Sequence, residues 1–232
     1  MTTEEILEKL KSLGSEHHRN QLGRFGITTI EAYGVTSPNL QKLAKAIGTD
    51  HLQAIALFKS QVHEAKLIAA FLADPKSLTK EVMDDWAHQV YSWDLCDNLC
   101  MHLFRRSPLA REMALKWIKE EPEFVRRCGL VVMTSLSIHD KKATNELLLQ
   151  FTNAALPYAA DERNFVKKAI SWLLRQQGKR NLELRENILE KCKEIESLFP
   201  DSRAAHWIVK DVTRELMKPA ILARLEKKAL GK

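Results

Sequence analysis

The sequence predicts an all-helical protein built from short, stacked helices. Along almost the whole chain, apolar residues recur at the spacing of one helix face. No segment alternates β-branched and polar residues between turn signals, as a half-exposed strand would. Helix breakers separate the apolar runs, at Pro75, Pro108, Pro122, Pro157, Gly178, Pro200 and Pro219.

The helices follow one another with little connecting chain. The first begins near Thr3 with two glutamates in its first turn, where the helix dipole favours negative charge. Residues 33–40 indicate a turn that leads into a second helix, with Ser37 as N-cap and Pro38 as its first helical residue. Further helices are predicted at 51–59, 62–73, 78–90, 93–104, 108–119, 122–136, 140–153, 161–177, 180–194, 202–216 and 219–230.

Several of these helices form pairs that recur every ~35–45 residues, a spacing typical of HEAT-type repeats. A pair of this size cannot bury its own apolar face, so neighbouring pairs stack into a superhelical solenoid with one concave surface. We therefore expect a single domain over residues 1–232. An irregular helical bundle is the alternative that the same periodicity allows.

The chain has 232 residues and a net charge of +6, which is unevenly distributed. Residues 1–99 carry 10 basic and 13 acidic side chains, whereas residues 100–180 carry 15 basic and 8 acidic ones. A basic middle segment suits a polyanionic partner, because each neutralised phosphate releases counterions.

No window of 18 or more apolar residues exists, and the acidic, amphipathic N-terminus does not resemble a secretion signal. We therefore expect a cytoplasmic protein without a membrane span. Its cysteines form no CxxC pair and are expected to be reduced. Cys96 and Cys100 stand one helical turn apart, but no second ligand pair accompanies them, so no metal site is expected.

The first cluster of chemically capable residues is the segment 91–97. Ser92 can cap a helix that starts at Trp93, which places Trp93 and Asp97 one turn apart on the same face. Asp94 also lies in this first turn, where carboxylates are favoured. The alternative is ordinary helix capping beside a core tryptophan.

Two further clusters carry positive charge. Arg126 and Arg127 point about 100° apart on one helix, so at most one of them faces a given surface. An arginine there would either hold a phosphate or be solvated. Lys168, Trp172 and Arg175 stand at i, i+4 and i+7 and form one stripe, with Lys167 beside it. Such a stripe fits a nucleic-acid backbone, although a tryptophan on an amphipathic helix is most often a core residue.

The order and spacing of these clusters resemble the AlkD-like DNA alkylation repair family. The matching motifs are Ser-Trp-Asp-x-x-Asp at 92–97, an arginine about thirty residues later, and Lys-Lys-Ala-Ile-x-Trp-x-Leu-Arg at 167–175. Tyr-Gly-Val-Thr-Ser-Pro at 33–38 is similar to the family's N-terminal turn, and Asp-Ser-Arg at 201–203 to the start of its final helix. The resemblance extends from about residue 20 to about residue 215.

This resemblance implies a HEAT-like solenoid that wraps duplex DNA in a basic concave groove. It also implies hydrolysis of the N-glycosidic bond of cationic alkylpurines, such as 3-methyladenine and 7-methylguanine, with no metal or organic cofactor and no base-flipping pocket. Carried over by position, Asp97 is the catalytic carboxylate, Trp93 and Trp172 are the aromatic pair at the lesion, and Arg127 binds phosphate. Arg175 matches a basic residue on the helix of the second tryptophan.

The remaining predicted residues support this site. Lys167, Lys168 and Arg203 are expected to contact the DNA backbone, and Asp94 is expected to position its helix. Where the family has a tyrosine, this sequence has Phe25, or Tyr33 if the alignment shifts. With Phe25 one polar contact is lost, and the substrate range or the activity is expected to be reduced.

The residue types fit the implied chemistry. An alkylated purine already carries positive charge and leaves without a general acid, so the site has to stabilise the oxocarbenium-like sugar, which a fixed carboxylate does. We expect both indoles, the Asp97 carboxylate and the Arg127 guanidinium to converge on one patch of a monomer. Two alternatives stay open: a non-catalytic protein that binds bent or branched DNA, and a HEAT-type scaffold for protein partners.

Overall fold

The computed structural model describes residues 1–29 and 31–231, and most of them lie in helices. The only β-type pairing among these residues is an isolated bridge between Glu31 and Val62. The α-helices are α1 Thr3–Leu13, α2 Glu16–Gln21, α3 Ser37–Ile47, α4 His51–Phe58, α5 His63–Leu72, α6 Lys80–His88, α7 Trp93–Asn98, α8 Ala110–Trp117, α9 Glu123–His139, α10 Asn145–Ala155, α11 Asn164–Gly178, α12 Leu182–Leu198, α13 Arg203–Leu216 and α14 Pro219–Ala229. Short 3₁₀ turns lie at Leu22–Phe25, Phe104–Arg106 and Leu156–Tyr158, and a π-helical segment at Leu99–Leu103.

The helical class that the sequence predicts is confirmed, and the differences are local. α2 was not predicted, because Glu16–Gln21 contains no buried residue and so has no apolar stripe. The helix predicted at 140–153 begins at Asn145, since Thr144 caps it by accepting the Leu147 N–H. α3 begins one residue earlier than predicted, with Thr36 rather than Ser37 at the N-cap position. No helix in the described part of the chain is long and apolar enough to cross a membrane.

The chain divides into two compact units, Met1–Met113 and Ala114–Lys232, and the single domain expected over residues 1–232 stays a prediction. In the first unit, α5 packs against α3, α4 and α7. Phe58 at the end of α4 stacks on Trp86 of α6, with ring centroids 4.0 Å apart. These contacts make α5 the central helix of the unit.

A buried glutamate of α5 holds the turn that precedes α3. The Glu64 carboxylate accepts hydrogen bonds from the backbone N–H groups of Tyr33, Gly34 and Val35, at 2.9, 2.7 and 3.1 Å. A buried carboxylate is stable when backbone donors surround it in this way. The turn also approaches the start of α2, because the Ser15 N–H donates to the Gly34 carbonyl at 3.2 Å.

Replacing Gly34 with alanine is expected to destabilise the protein by at least about 3 kcal/mol, because backbone strain and steric overlap add together. Gly34 has φ +77°, and a Cβ there would lie 2.2 Å from the Ser15 carbonyl oxygen and 2.5 Å from the Arg19 amide nitrogen. Gly26→Ala is the matched control, since Gly26 has φ +70° but nothing within 4 Å of its Cβ position. Urea unfolding of both variants separates backbone strain from steric overlap. Equal losses in the free energy of unfolding would contradict the expectation.

The second unit contains a helical repeat. α11 packs against both α9 and α13. The Gln177 Nε2 of α11 donates to Ser137 Oγ of α9 at 3.2 Å, and the Ser171 hydroxyl of α11 donates to Asp211 of α13 at 2.7 Å. Both pairs are separated by 40 residues, so the predicted repeat length is present in this unit.

A buried ion pair joins α9 to the start of α11. Arg126 Nη1 lies 2.8 Å from an oxygen of Asp161, and Arg163 donates to the same carboxylate. The Arg126 guanidinium also lies over the Tyr158 ring, 4.4 Å from its centroid. Burial alone would raise the pKa of Asp161, but the hydrogen bonds from Arg163 and Arg126 outweigh it and lower the pKa to about 2.

Candidate nucleic-acid interface

The predicted catalytic residues of the first unit lie on α7. Trp93 is the first residue of this helix and Asp97 follows one turn later, and both side chains are half-buried. The Trp93 Nε1–H donates to the Phe25 carbonyl at 2.8 Å. This bond fixes the orientation of the indole. The Phe25 side chain itself is 63 % exposed beside this link.

Asp94 connects α7 to α5 through a histidine that the sequence did not indicate. His63 is buried, its Nε2 lies 2.8 Å from Asp94 Oδ2, and its Nδ1 lies 2.8 Å from the Tyr91 hydroxyl. Because an ionised carboxylate only accepts, His63 donates to Asp94 from Nε2. Burial would raise the pKa of Asp94, but the hydrogen bond and the charge of His63 outweigh it, so its pKa is lowered. Ser92 occupies the N-cap position of α7 without making a side-chain cap bond.

The lysine, tryptophan and arginine stripe of the second unit lies on α11, with different exposure along its length. Lys168 is exposed and Trp172 is half-buried. Arg175 is bonded within the unit, since its Nε lies 3.3 Å from both the Asp211 carboxylate and the Ser171 carbonyl. Lys168 and Trp172 are therefore the members of the stripe that are accessible without breaking an ion pair.

Arg127 is largely buried rather than solvated, and its predicted contact to phosphate stays a prediction. It is only 6 % exposed, and its Nη1 donates to the Phe165 carbonyl of α11 at 2.8 Å. Arg126, its neighbour on α9, is also buried, although the two side chains point in different directions. The bond to Phe165 links α9 to the first turn of α11.

A second basic stripe with a tryptophan lies on α13. Arg203, the first residue of α13, is exposed, and its predecessor Ser202 caps the helix by accepting the Ala205 N–H. Trp207 stands one turn after Arg203 and is 38 % exposed. Lys167 of α11 approaches this indole, with its Nζ 5.9 Å from the ring centroid. Trp207 was missed in the sequence, although its i, i+4 spacing from Arg203 was visible.

The predicted roles of these side chains, their convergence on one patch and the basic concave groove stay predictions. What the structure shows is a fixed tryptophan and a neighbouring aspartate in the first unit. In the second unit it shows two helices with tryptophans flanked by exposed cations. Indoles next to cations are common at surfaces that bind nucleic acid.

The fold and these residues define an all-helical repeat protein with features of a DNA-binding protein. The sequence profile of the DNA alkylation repair enzymes matches residues 6–216. The chain belongs to this family.

One similar solved structure is described as a member of "a new family of proteins related to the HEAT-like repeat DNA glycosylases with affinity for branched DNA structures". It is 21% identical in sequence and superposes with a TM-score of 0.76, over 84% of this chain and 83% of that chain. This likeness shows that the chain has a HEAT-like repeat fold. No curated protein matches the sequence significantly.

Proposed function

We propose that this protein is a DNA glycosylase that hydrolyses the N-glycosidic bond of cationic alkylpurines, such as 3-methyladenine and 7-methylguanine, in duplex DNA. One observation carries the proposal within the family: Asp97 follows by one turn a tryptophan whose ring is held by the Phe25 carbonyl. A carboxylate next to an oriented indole is suited to a positively charged sugar.

In the proposed reaction, the bond between the sugar C1′ and the purine nitrogen breaks, and the electron pair leaves with the base. The base becomes neutral because it carried a positive charge, so no general acid is needed. The Asp97 carboxylate stabilises the positive charge that develops on the sugar. Water then adds to C1′ and releases a proton, and the proposed role of Asp97 includes orienting that water.

The tryptophans are proposed to recognise the same positive charge. An indole face attracts a cation by about 0.5–2 kcal/mol, and the attraction is larger where water is excluded. Trp93 supplies one such face on α7, and we propose that Trp172 on α11 supplies the second. No metal or organic cofactor is required for this chemistry.

The proposed contacts to the DNA backbone differ in how free each cation is. Lys168 and Arg203 are exposed and can meet phosphates directly. Lys167 lies near Trp207, and Arg175 is paired with Asp211. These two cations would contact phosphates while keeping their interactions within the protein. Arg127 is buried and donates to the Phe165 carbonyl, and we propose that it positions α11.

The proposal is tested by incubating the purified protein with methylated duplex DNA and measuring free 7-methylguanine by chromatography. We expect release well above spontaneous loss from the same DNA in buffer, and inhibition by added salt, because phosphate contacts weaken as salt rises. Release that does not exceed the spontaneous rate would refute the glycosylase proposal.

A second candidate function is DNA binding without catalysis. The similar solved structure favours it, because that protein is described as having affinity for branched DNA. In this case the protein would bind junctions in a salt-sensitive manner without releasing bases. The base-release assay, run beside a binding titration with a three-way junction, separates the two functions.

A further inference from the structure

One face of α13 joins basic side chains to an exposed tryptophan. Arg203, Trp207, Lys210 and Arg214 stand at i, i+4, i+7 and i+11 and so lie within a narrow stripe, which we name the α13 stripe. All four are exposed, and Trp207 is 38 % exposed. The opposite face of α13 is buried, through Ala204, Ala205, Ile208, Val212 and Leu216. Because that opposite face already supplies the packing, the indole is not needed for the core.

The charges around Trp207 favour an anionic partner. Lys167 lies 5.9 Å from the ring centroid, and Lys168 is exposed beside it in the sequence of α11. The carboxylate on this side of α13, Asp211, already accepts from Ser171 and pairs with Arg175 and with Arg214 of the stripe.

At the start of α13, Glu162 is occupied as well, since it accepts the Ala204 N–H at 3.0 Å. Asp211 and Glu162 are thus engaged with protein donors, whereas Arg203 and Lys210 are exposed. A protein partner that docks on an apolar patch would find one ring among cations, which is a poor match.

We infer that Trp207 is a stacking platform for an unpaired nucleobase in DNA, with the cations of the α13 stripe and Lys167 on the flanking phosphates. Bases inside a duplex cover each other's faces and cannot stack on an exposed indole. A base in a single-stranded flap or at a branch point has a free face, and such stacking is sequence-tolerant. The inference rests on the DNA binding in the proposed function but not on catalysis by Asp97.

The test compares two fluorescently labelled DNAs of equal paired length, one fully paired and one with a single-stranded flap, in anisotropy titrations. For Trp207→Ala we expect the dissociation constant for the flap DNA to rise about 5- to 150-fold, since stacking contributes ~1–3 kcal/mol per base. The constant for the paired duplex should change by less than about 2-fold. Trp207→Phe keeps an aromatic face and should recover part of the affinity for the flap.

Leu198→Ala is the control, because Leu198 is an exposed apolar residue of α12 in the same unit. It should leave both constants unchanged. Equal losses on the two DNAs for Trp207→Ala, or no loss on the flap, would overturn the inference. The outcome is separable from the glycosylase proposal, since base release from paired methylated DNA is measured independently.

Discussion

Replacing Asp97 with asparagine is expected to lower the rate of 7-methylguanine release by about 100-fold or more. Removal of one preorganised electrostatic group from an active site typically costs a factor of 10² to 10³ in rate, or about 3 kcal/mol. Asparagine has nearly the same shape and volume as aspartate, so α7 and its half-buried surroundings should be preserved. The variant loses the negative charge that is proposed to stabilise the sugar cation.

The measurement is a single-turnover assay, with protein in excess over methylated duplex DNA, so that the rate reports the chemical step. Binding to undamaged duplex should be equal or tighter, because one negative charge near the phosphates has been removed. Asp201→Asn is the matched control, since it removes one exposed carboxylate at the turn before α13. If Asp97→Asn retained more than a tenth of the parent rate, Asp97 would not be the catalytic carboxylate.

The helices could be predicted because their apolar periodicity is local. The bounds of α5, α8 and α13 lie within about two residues of the prediction, since capping residues and prolines mark the ends. α2 could not be found in this way, because it has no buried face. The division into two compact units depends on contacts between helices and not on the pattern within any one of them, so the sequence does not indicate it, and the single domain stays a prediction.

The candidate site was predicted less completely, for a related reason. Spacing along one helix gives the angle between two side chains, but not what packs against each of them. The bond between Arg127 and the Phe165 carbonyl joins residues 38 apart, and that between His63 and Asp94 joins residues 31 apart. Trp207 is different, because a cation and a tryptophan stand at i, i+4 on α13 as they do on α11. This spacing is visible in the sequence alone.

Replacing Asp161 with asparagine is expected to lower the free energy of unfolding by about 3 kcal/mol, which is the usual cost of leaving a buried charge without its partner. Asp161 is nearly buried between Arg126 and Arg163, and Arg126 is itself buried. An asparagine keeps one acceptor oxygen but not the negative charge. Chemical unfolding followed by circular dichroism measures the loss.

The same carboxylate gives the stability of the parent protein a dependence on acid pH. Its folded-state pKa of about 2 lies below the value of the unfolded chain, so its contribution is complete above about pH 4 and is lost as the pH falls toward 2. The parent should therefore lose roughly 2 kcal/mol more than Asp161→Asn between pH 5 and pH 2.

Glu121→Gln is the control for this prediction, because Glu121 contacts the same Arg126 at 3.4 Å but is 91% exposed. An exposed partner contributes less than about 1 kcal/mol, so this variant should unfold almost as the parent does. Equal losses for the two variants would mean that removing a negative charge near Arg126 matters and that burial of the pair does not. Since burial is what makes the bond between α9 and the start of α11 strong, that result would also remove the reason for assigning Asp161 a role in holding the two helices together.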